Sequence, residues 1–301
     1  MAVGLEAADR GDGGHEPVER PAAPDKGRGS GHRLGRNIAV AVGIGVVAGA
    51  ILLAILYYAK PVFPLLIIGV GCLGVWELTR AFGLRQIAVP LPPLLAIVVA
   101  AIASGYLAGF TGLAVSTAFG VLCMLAWRLR GGVAGYVRDA TAGVAIACYV
   151  PLLLGFAALL LTPADGADRV VIWIAAVFAS DTGGLLLGAA IGRHQMSPVI
   201  SPKKSWEGGA GSVILSGALT AVLVWWLLDG AWWYGAVVGV TAAVVGTAGD
   251  LVESVIKRDI GIKDMSSLVP GHGGMMDRLD SLLAAAPAVW VLLTLLVPPG
   301  P

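Results

Sequence analysis

Nine long apolar runs limit what this chain can fold into more than any other feature of its sequence. They lie at about 38–58, 62–79, 91–109, 111–127, 141–161, 170–191, 209–228, 232–256 and 281–297, each almost free of charge. About 20 apolar residues in a helix cross the hydrocarbon core of a bilayer. A chain made largely of such runs has too little polar surface for water. Of its 301 residues, 57% are hydrophobic and 13% charged, where a soluble domain carries about 25% charged residues. The runs are continuously apolar and do not alternate, which favours helices over a barrel. The expected fold is all-α, a polytopic transmembrane helical bundle of about nine spans. Only Phe110–Thr111 separates the third run from the fourth, so a tight turn is expected there.

Residues 1–36 are of a different kind, rich in Gly, Pro and charge and poor in large apolar side chains. Such a segment buries too little surface to offset its ordering entropy and is expected to be disordered. The first apolar run begins near Ile38, later than the apolar stretch of a secretory signal, so the segment reads as a cytosolic tail rather than a cleaved leader. Residues 37–301 then form the transmembrane domain, with the polar motifs between 180 and 281. With the amino terminus inside, 18 of the 20 Lys and Arg fall on the cytosolic side, leaving Lys60 and Arg169 outside. The positive-inside rule therefore predicts a cytosolic amino terminus and an external carboxy terminus, in a cell (plasma or inner) membrane. The pairs Trp225-Trp226 and Trp232-Trp233 flank the outer turn at Asp229–Gly230, as an interfacial aromatic belt would.

Other classes are excluded by composition. Net charge is +1, so no basic field points to nucleic acid. Cys72, Cys123 and Cys148 stand singly in apolar runs, which makes neither a disulfide framework nor a zinc knuckle. The 43 glycines lack collagen periodicity and suit close helix packing, which permits but does not require a homodimer.

Three polar clusters interrupt the apolar runs, all toward the predicted cytosolic face. The first, Ser180-Asp181-Thr182-Gly183-Gly184, puts a carboxylate inside the sixth run. An acid at that depth is costly unless it faces the bundle interior or water, and the glycines weaken a helix. The bland alternative is a packing glycine pair beside a satisfied Asp. The second cluster runs from Ser197 to Gly209. Pro198 and Pro202 keep it extended, Lys203-Lys204 bring two cations to the surface, and Gly208-Gly209 let backbone approach a ligand closely. That combination suits a phosphate-bearing ligand, although two lysines after a span also serve as topology signals.

The third cluster, Gly249 to Ser281, is the most informative. Asp250, Glu253, Ser254 and Lys257 fall at i, i+3, i+4 and i+7, one polar face of a helix. Asp277, Asp280 and Ser281 open a second helix in the same way, and Gly273-Gly274 before it frees backbone at a helix amino terminus, a natural anion site. Lys257, Arg258, Lys263 and Arg278 lie among these acids. Carboxylates that hold Mg²⁺ beside cations that hold phosphates are what phosphoryl or nucleotidyl transfer requires. His272 is either a loop residue or a catalytic one.

The stretch Ser254-x-Ile-Lys257-Arg258-x4-Lys263-Asp264, followed by His272-Gly-Gly-x-x-Asp277-Arg278-x-Asp280, closely resembles the signature of phosphatidate cytidylyltransferases (CDP-diacylglycerol synthases). Ser201-Pro-Lys203-Lys204-Ser205-Trp206-Glu207-Gly208 and Ser180-Asp181-Thr182-Gly183 are similar to that family's shorter motifs. Val269, where Leu, Ile or Phe is expected, is a conservative departure. The earlier spans match in hydropathy alone.

The resemblance implies transfer of a cytidylyl group from CTP to phosphatidate, giving CDP-diacylglycerol and diphosphate. It also implies Mg²⁺, held by the aspartates matching Asp250 and Asp277, with a second, monovalent cation such as K⁺ as a further option. On this view Lys257, Arg258, Lys263 and Arg278 neutralise phosphates, and Asp264 and Asp280 support the ligands or orient a cation. Asp181, Ser201, Lys203, Lys204, Trp206, Glu207 and Ser254 are expected around the substrate, with CTP entering from the cytosol.

The rival readings fit less well. A secondary transporter also carries intramembrane carboxylates and broken helices, but the first five runs hold a single acid, Glu77, and no cluster to match the last four. No DGx2AR-type motif of a CDP-alcohol phosphotransferase and no P-loop is found in the sequence. A scaffold would have no reason to concentrate charge in this pattern.

Overall fold

An apolar run in lipid must satisfy its own backbone, and a helix does so within one segment. The computed structural model, which describes residues 45–266 and 273–298, is accordingly almost all helix. The expected disordered tail, 1–36, lies outside the described residues. Contacts divide the chain into Met1–Ala50 and Ile51–Pro301. Of the first unit only residues 45–50 are described, and they are helical.

The helices are α1 (Gly45–Tyr58), α2 (Val62–Gly83), α3 (Leu91–Arg128), α4 (Tyr136–Ala147), α5 (Leu153–Leu161), α6 (Gly166–Ile191), α7 (Trp206–Leu227), α8 (Trp232–Ile260) and α9 (Met276–Leu296). Between α6 and α7 lies a short antiparallel ribbon of β1 (Gln195–Ser197) and β2 (Ser201–Ser205). A π-helical turn at Cys148–Leu152, around Pro151, joins α4 to α5 in one rod. Proline lacks the N–H that would continue the α ladder, and the wider turn absorbs the loss.

Seven of these stretches are long and apolar enough to cross a membrane, where the sequence predicts about nine. The difference arises at two places. The first predicted span, 38–58, is described only from Gly45, and Gly45–Tyr58 alone is shorter than a crossing. The third and fourth share α3, which leaves helical geometry at Gly109 (φ 66°, ψ −157°). A positive φ of that size suits glycine, which has no Cβ to clash. The two halves of α3 fold back on each other there. Ser104 Oγ lies 3.0 Å from the Gly112 carbonyl and 2.7 Å from Ser116 Oγ, and a Cβ on Gly120 would strike Ile97. In a straight helix Ile97 and Gly120 would stand about 34 Å apart. The reversal expected at Phe110–Thr111 therefore falls at Gly109.

In the carboxy-terminal half, α6, α7, α8 and α9 pack in sequence, close together because small residues line the seams. A Cβ on Gly183 would lie 2.3 Å from the Gly211 carbonyl oxygen, and one on Gly211 would lie 2.3 Å from that of Gly183. The Gly183-Gly184 pair does not interrupt α6, which runs unbroken through it; its use is close approach to α7. Ser212 Oγ donates to the Ser180 carbonyl at 2.7 Å, and Ser216 Oγ reaches the Ala176 carbonyl at 2.8 Å, so the same seam satisfies its hydroxyls. Replacing Gly183 by Ala should force the two helices apart. We expect a loss of about 1–3 kcal/mol, read as a lower thermal midpoint of the purified protein in micelles.

Each end of the bundle carries a buried arginine. Arg128 meets Asp139 at 2.7 Å, and Asp139 also accepts from the Ala88 amide. Arg169 pairs with Asp165 and donates to the carbonyls of Leu293 and Val297, closing the carboxy-terminal end of α9. Trp225, Trp226, Trp232 and Trp233 are all exposed on the bundle surface.

Candidate active site

The ribbon brings the first group of site residues into place. Ser197 pairs with Ser201 and Gln195 with Ser205, turning the chain back toward α7. Ser205 is extended (φ −119°, ψ 156°) and its Oγ accepts from the Gly208 amide at 3.1 Å, capping α7. Glu207, in the first turn of α7, accepts from the Arg193 and His194 amides at 3.2 Å and meets His194 Nδ1 at 2.6 Å. It thereby holds both ends of the ribbon together. The segment predicted as an extended loop is thus a small folded platform. From it Lys204 Nζ reaches Asp250 Oδ2 at 2.6 Å.

The polar face of α8 turns inward as its spacing predicts. Asp250 accepts from Ser254 Oγ at 3.3 Å, and one turn on, Lys257 Nζ donates to Glu253 Oε2 at 3.0 Å. Glu253 is fully buried, and its Oε1 has no hydrogen-bond partner among the described residues. Val252 and Val255, on the other side of the helix, are exposed. Gly261, in the left-handed region at φ 86°, ends α8 with its amide donating to the Lys257 and Arg258 carbonyls.

The opening turns of α9 supply two more carboxylates. Asp277 Oδ1 accepts from Lys257 at 2.7 Å, and its Oδ2 from the Met265 and Gly274 amides at 3.0 and 2.8 Å. Asp280 approaches Asp250 and Glu253 closely enough that one oxygen from each of the three lies within 4.8 Å of the others. Of the amides at Gly273-Gly274 that were expected to be free for a ligand, that of Gly274 is taken by Asp277. Those of Met275 and Met276 donate to Glu77, at 2.9 and 2.7 Å. The anion at this helix terminus is the protein's own.

These elements enclose a pocket of about 240 Å³. Asp181 stands on its α6 wall, Lys203, Lys204 and Ser205 on the ribbon, and Asp250 and Ser281 on α8 and α9. All three polar clusters therefore meet in one place. Not every expected residue joins them. Trp206 is 64% exposed and Glu207 bonds to the ribbon's ends, neither lining the pocket. Ser201 serves in the ribbon pairing. Arg258 is exposed, its Nε 3.5 Å from the Ile200 carbonyl. Lys263, Asp264 and Arg278 are also exposed, and neither they nor Ser254, Lys257, Asp277 and Asp280 line the pocket. His272 lies outside the described residues.

Two contributors escape the sequence motifs. Glu253 stands among the acids, and its signal was available in its i+3 spacing from Asp250. Glu77 comes from α2, nearly 200 residues away, and its signal was being the lone acid of the first five runs.

The donor chemistry suits a hard divalent cation. Three carboxylates crowded together repel one another, and a buried carboxylate oxygen with no donor calls for a positive partner. Oxygen-only donors are the set that Mg²⁺ prefers. Lys204 and Lys257 bring two positive charges to four carboxylates, Asp250, Glu253, Asp277 and Asp280.

A family model described as "Cytidylyltransferase family" matches residues 39–296. The chain belongs to that family. It is thus a nucleotidyltransferase, and a multi-pass membrane one by its apolar helices. It is similar to a protein of Mycobacterium bovis named phosphatidate cytidylyltransferase, 38% identical over 93% of this chain and 96% of that one. A protein of the same name from Mycobacterium leprae is 40% identical over 88% of this chain and 90% of its own length. A third, from Synechocystis, is 41% identical over 42% of this chain and 44% of its own.

Proposed function

We propose that this cytidylyltransferase-family enzyme transfers the cytidylyl group of CTP to phosphatidate, making CDP-diacylglycerol for phospholipid synthesis. The observation that carries the proposal is the convergence of Asp181, the Lys203-Lys204 ribbon and Asp250 on one pocket, with Glu253 and Asp280 gathered beside Asp250. The name its relatives carry, phosphatidate cytidylyltransferase, supports the same reaction. A phosphate oxygen of phosphatidate attacks the α-phosphorus of CTP; the new P–O bond forms as the bond to the β-phosphate breaks, and diphosphate leaves with the electron pair. The lipid phosphate is already an anionic nucleophile, so neither a Ser or Cys nucleophile nor a separate general base is needed.

The difficulty in this reaction is bringing two polyanions together and stabilising the departing diphosphate. Lys203 and Lys204 are placed to receive the triphosphate, and Asp181 closes the opposite wall. Lys257, Arg258, Lys263 and Arg278 neutralise phosphates, and Asp264 and His272 belong to the same motif. Mg²⁺, when bound, supplies further charge for the α- and β-phosphates. We assign it to Asp250 and the carboxylates around it. These are Asp280 and Glu253, which packing brings near, and Asp277, which the motif nominates. With Lys204 and Lys257 beside them, one divalent ion balances the four carboxylates; the case for K⁺ as a second cation rests on the family resemblance alone.

The positive-inside count supports a pocket at the cytoplasmic face, where CTP is, with the amino terminus inside and the acyl chains of the lipid left in the bilayer. A homodimer is compatible with the glycine-rich surfaces. The rival transporter reading has no pair of matching polar clusters to support it.

Diphosphate release by the purified protein in mixed micelles tests the proposal. Release should require CTP, Mg²⁺ and phosphatidate together, with CDP-diacylglycerol in equal amount. CTP binding without release would point to a different lipid acceptor, and neither binding nor release would return the transporter to the front. Lys60, whose Nζ donates to the Pro163 carbonyl at 2.6 Å, is far from this chemistry. Lys60→Gln should leave turnover within about two-fold of wild type, the tolerance of a surface change.

A further inference from the structure

Two charged side chains outside the pocket sit at the ends of the two helices that build it. Glu77 belongs to α2 and is fully buried. Its Oε1 accepts from Ser266 Oγ at 2.5 Å and from the Met275 amide at 2.9 Å, and its Oε2 accepts from the Met276 amide at 2.7 Å. It therefore holds the start of α9 and the chain that leads to it. Arg85 follows the end of α2. Its Nε donates to the Ile260 carbonyl at 3.1 Å, and its guanidinium also meets the Asp259 carbonyl. It therefore holds the end of α8.

The charges match the helix ends they meet. A helix amino terminus carries partial positive charge and a carboxy terminus partial negative charge. An acid within α2 caps the first, and a base just past the end of α2 caps the second. A carboxylate buried in a span is costly, and Glu77 is the sole acid of the first five apolar runs. What its hydrogen bonds secure is the placement of α9's first turn. Asp277 and Asp280 begin one residue after Met276, and Glu253 and Lys257 lie within the last two turns before Ile260.

We propose that Glu77 and Arg85 are positioning residues: together they lock the end of α8 to the start of α9, so that the facing carboxylates keep the spacing a divalent cation requires. They touch neither substrate. The inference rests on the proposed function for the use of that cation, but it concerns the spacing of this chain's own carboxylates. A residue that merely packs would affect stability alone. Arg169 gives the comparison, being equally buried and bonded to the opposite end of the same helix α9.

The test uses the full chain in detergent micelles with Mn²⁺ as the probe, a hard cation with ligand preferences close to those of Mg²⁺. Free Mn²⁺ is read by electron paramagnetic resonance without CTP or lipid. Glu77→Gln keeps the shape but turns an amide donor toward a backbone N–H. It should weaken Mn²⁺ binding about ten- to hundred-fold, the usual cost of losing a group that orients metal ligands. Arg85→Gln, at the surface and therefore safe for folding, should weaken it about ten-fold. Arg169→Gln should lower the thermal midpoint and leave Mn²⁺ binding within about two-fold, because it acts on the remote end of α9.

Unchanged Mn²⁺ binding in Arg85→Gln and in a folded Glu77→Gln overturns the proposal. So does an equal loss in Arg169→Gln, or a wild type that binds no Mn²⁺. If Glu77→Gln does not fold, Arg85→Gln decides alone. A wild type that binds Mn²⁺ but forms no CDP-diacylglycerol refutes the proposed function instead, while the comparison of variants still decides this inference.

Discussion

Asp250→Asn should reduce turnover by more than about a hundred-fold while the protein still inserts and folds, the scale seen when a preorganised electrostatic group is lost from an active site. Asparagine keeps the shape and removes the charge. Asp250 is the point where the site's parts meet: Lys204 of the ribbon pairs with it at 2.6 Å, Ser254 donates to it, and it belongs to the trio with Glu253 and Asp280. Neutralising it unbalances the trio and releases Lys204 from its only ion pair among the described residues. Mn²⁺ binding should fall together with turnover. Near-normal turnover in Asp250→Asn would remove this carboxylate from the chemistry and, with it, the proposed metal site.

Much of this arrangement is legible in the sequence because helices impose a regular spacing. The i, i+3, i+4, i+7 series at Asp250, Glu253, Ser254 and Lys257 has one consequence in a helix, a shared face, and that face is the one turned inward. The apolar runs likewise define most of the helices, within a few residues at each end. What the spacing cannot convey is contact between distant elements. Nothing near Glu77 in the chain announces that it caps a helix beginning at Met276, because that bond depends on how α2 lies against α9. The helix start after Gly273-Gly274 resembled a free anion site for the same reason: its Met275 and Met276 amides are taken by Glu77, from another part of the chain.

Glycine was the other source of ambiguity, since the same residue serves reversal, close packing and ligand approach. Gly109 reverses α3 by its positive φ, Gly183 brings α6 onto Gly211, and Gly208 packs near Gly184 while lining the pocket. Sequence alone offers no way to sort these uses, which is why the reversal expected at Phe110–Thr111 falls at Gly109 instead. The ribbon at 195–205 escaped for a related reason. Two prolines in a short polar segment suggest an extended loop, and its pairing depends on Glu207 closing the two ends.

Asp277→Asn is expected to match Asp250→Asn in lost turnover, more than about a hundred-fold, by a route the structure makes separable. Asp277 spends both oxygens within the protein: Oδ1 accepts from Lys257, and Oδ2 from the Met265 and Gly274 amides. Those amides stand on either side of residues 267–272, so the side chain closes the segment between α8 and α9. Its replacement leaves Lys257 with Glu253 alone and turns an amide toward backbone donors. Breaking a buried charged pair on one side costs about 3–5 kcal/mol; for this part-buried pair that is the upper bound, and a fraction of it is enough to disturb the α8–α9 junction. Mn²⁺ binding then distinguishes two roles. If it disappears with turnover, as in Asp250→Asn, Asp277 shares the cation as its motif implies. If it persists while turnover is lost, Asp277 acts by holding Lys257 and the loop, and the cation belongs to Asp250, Glu253 and Asp280. Normal turnover in Asp277→Asn would exclude both roles, because each requires the charge that the variant lacks.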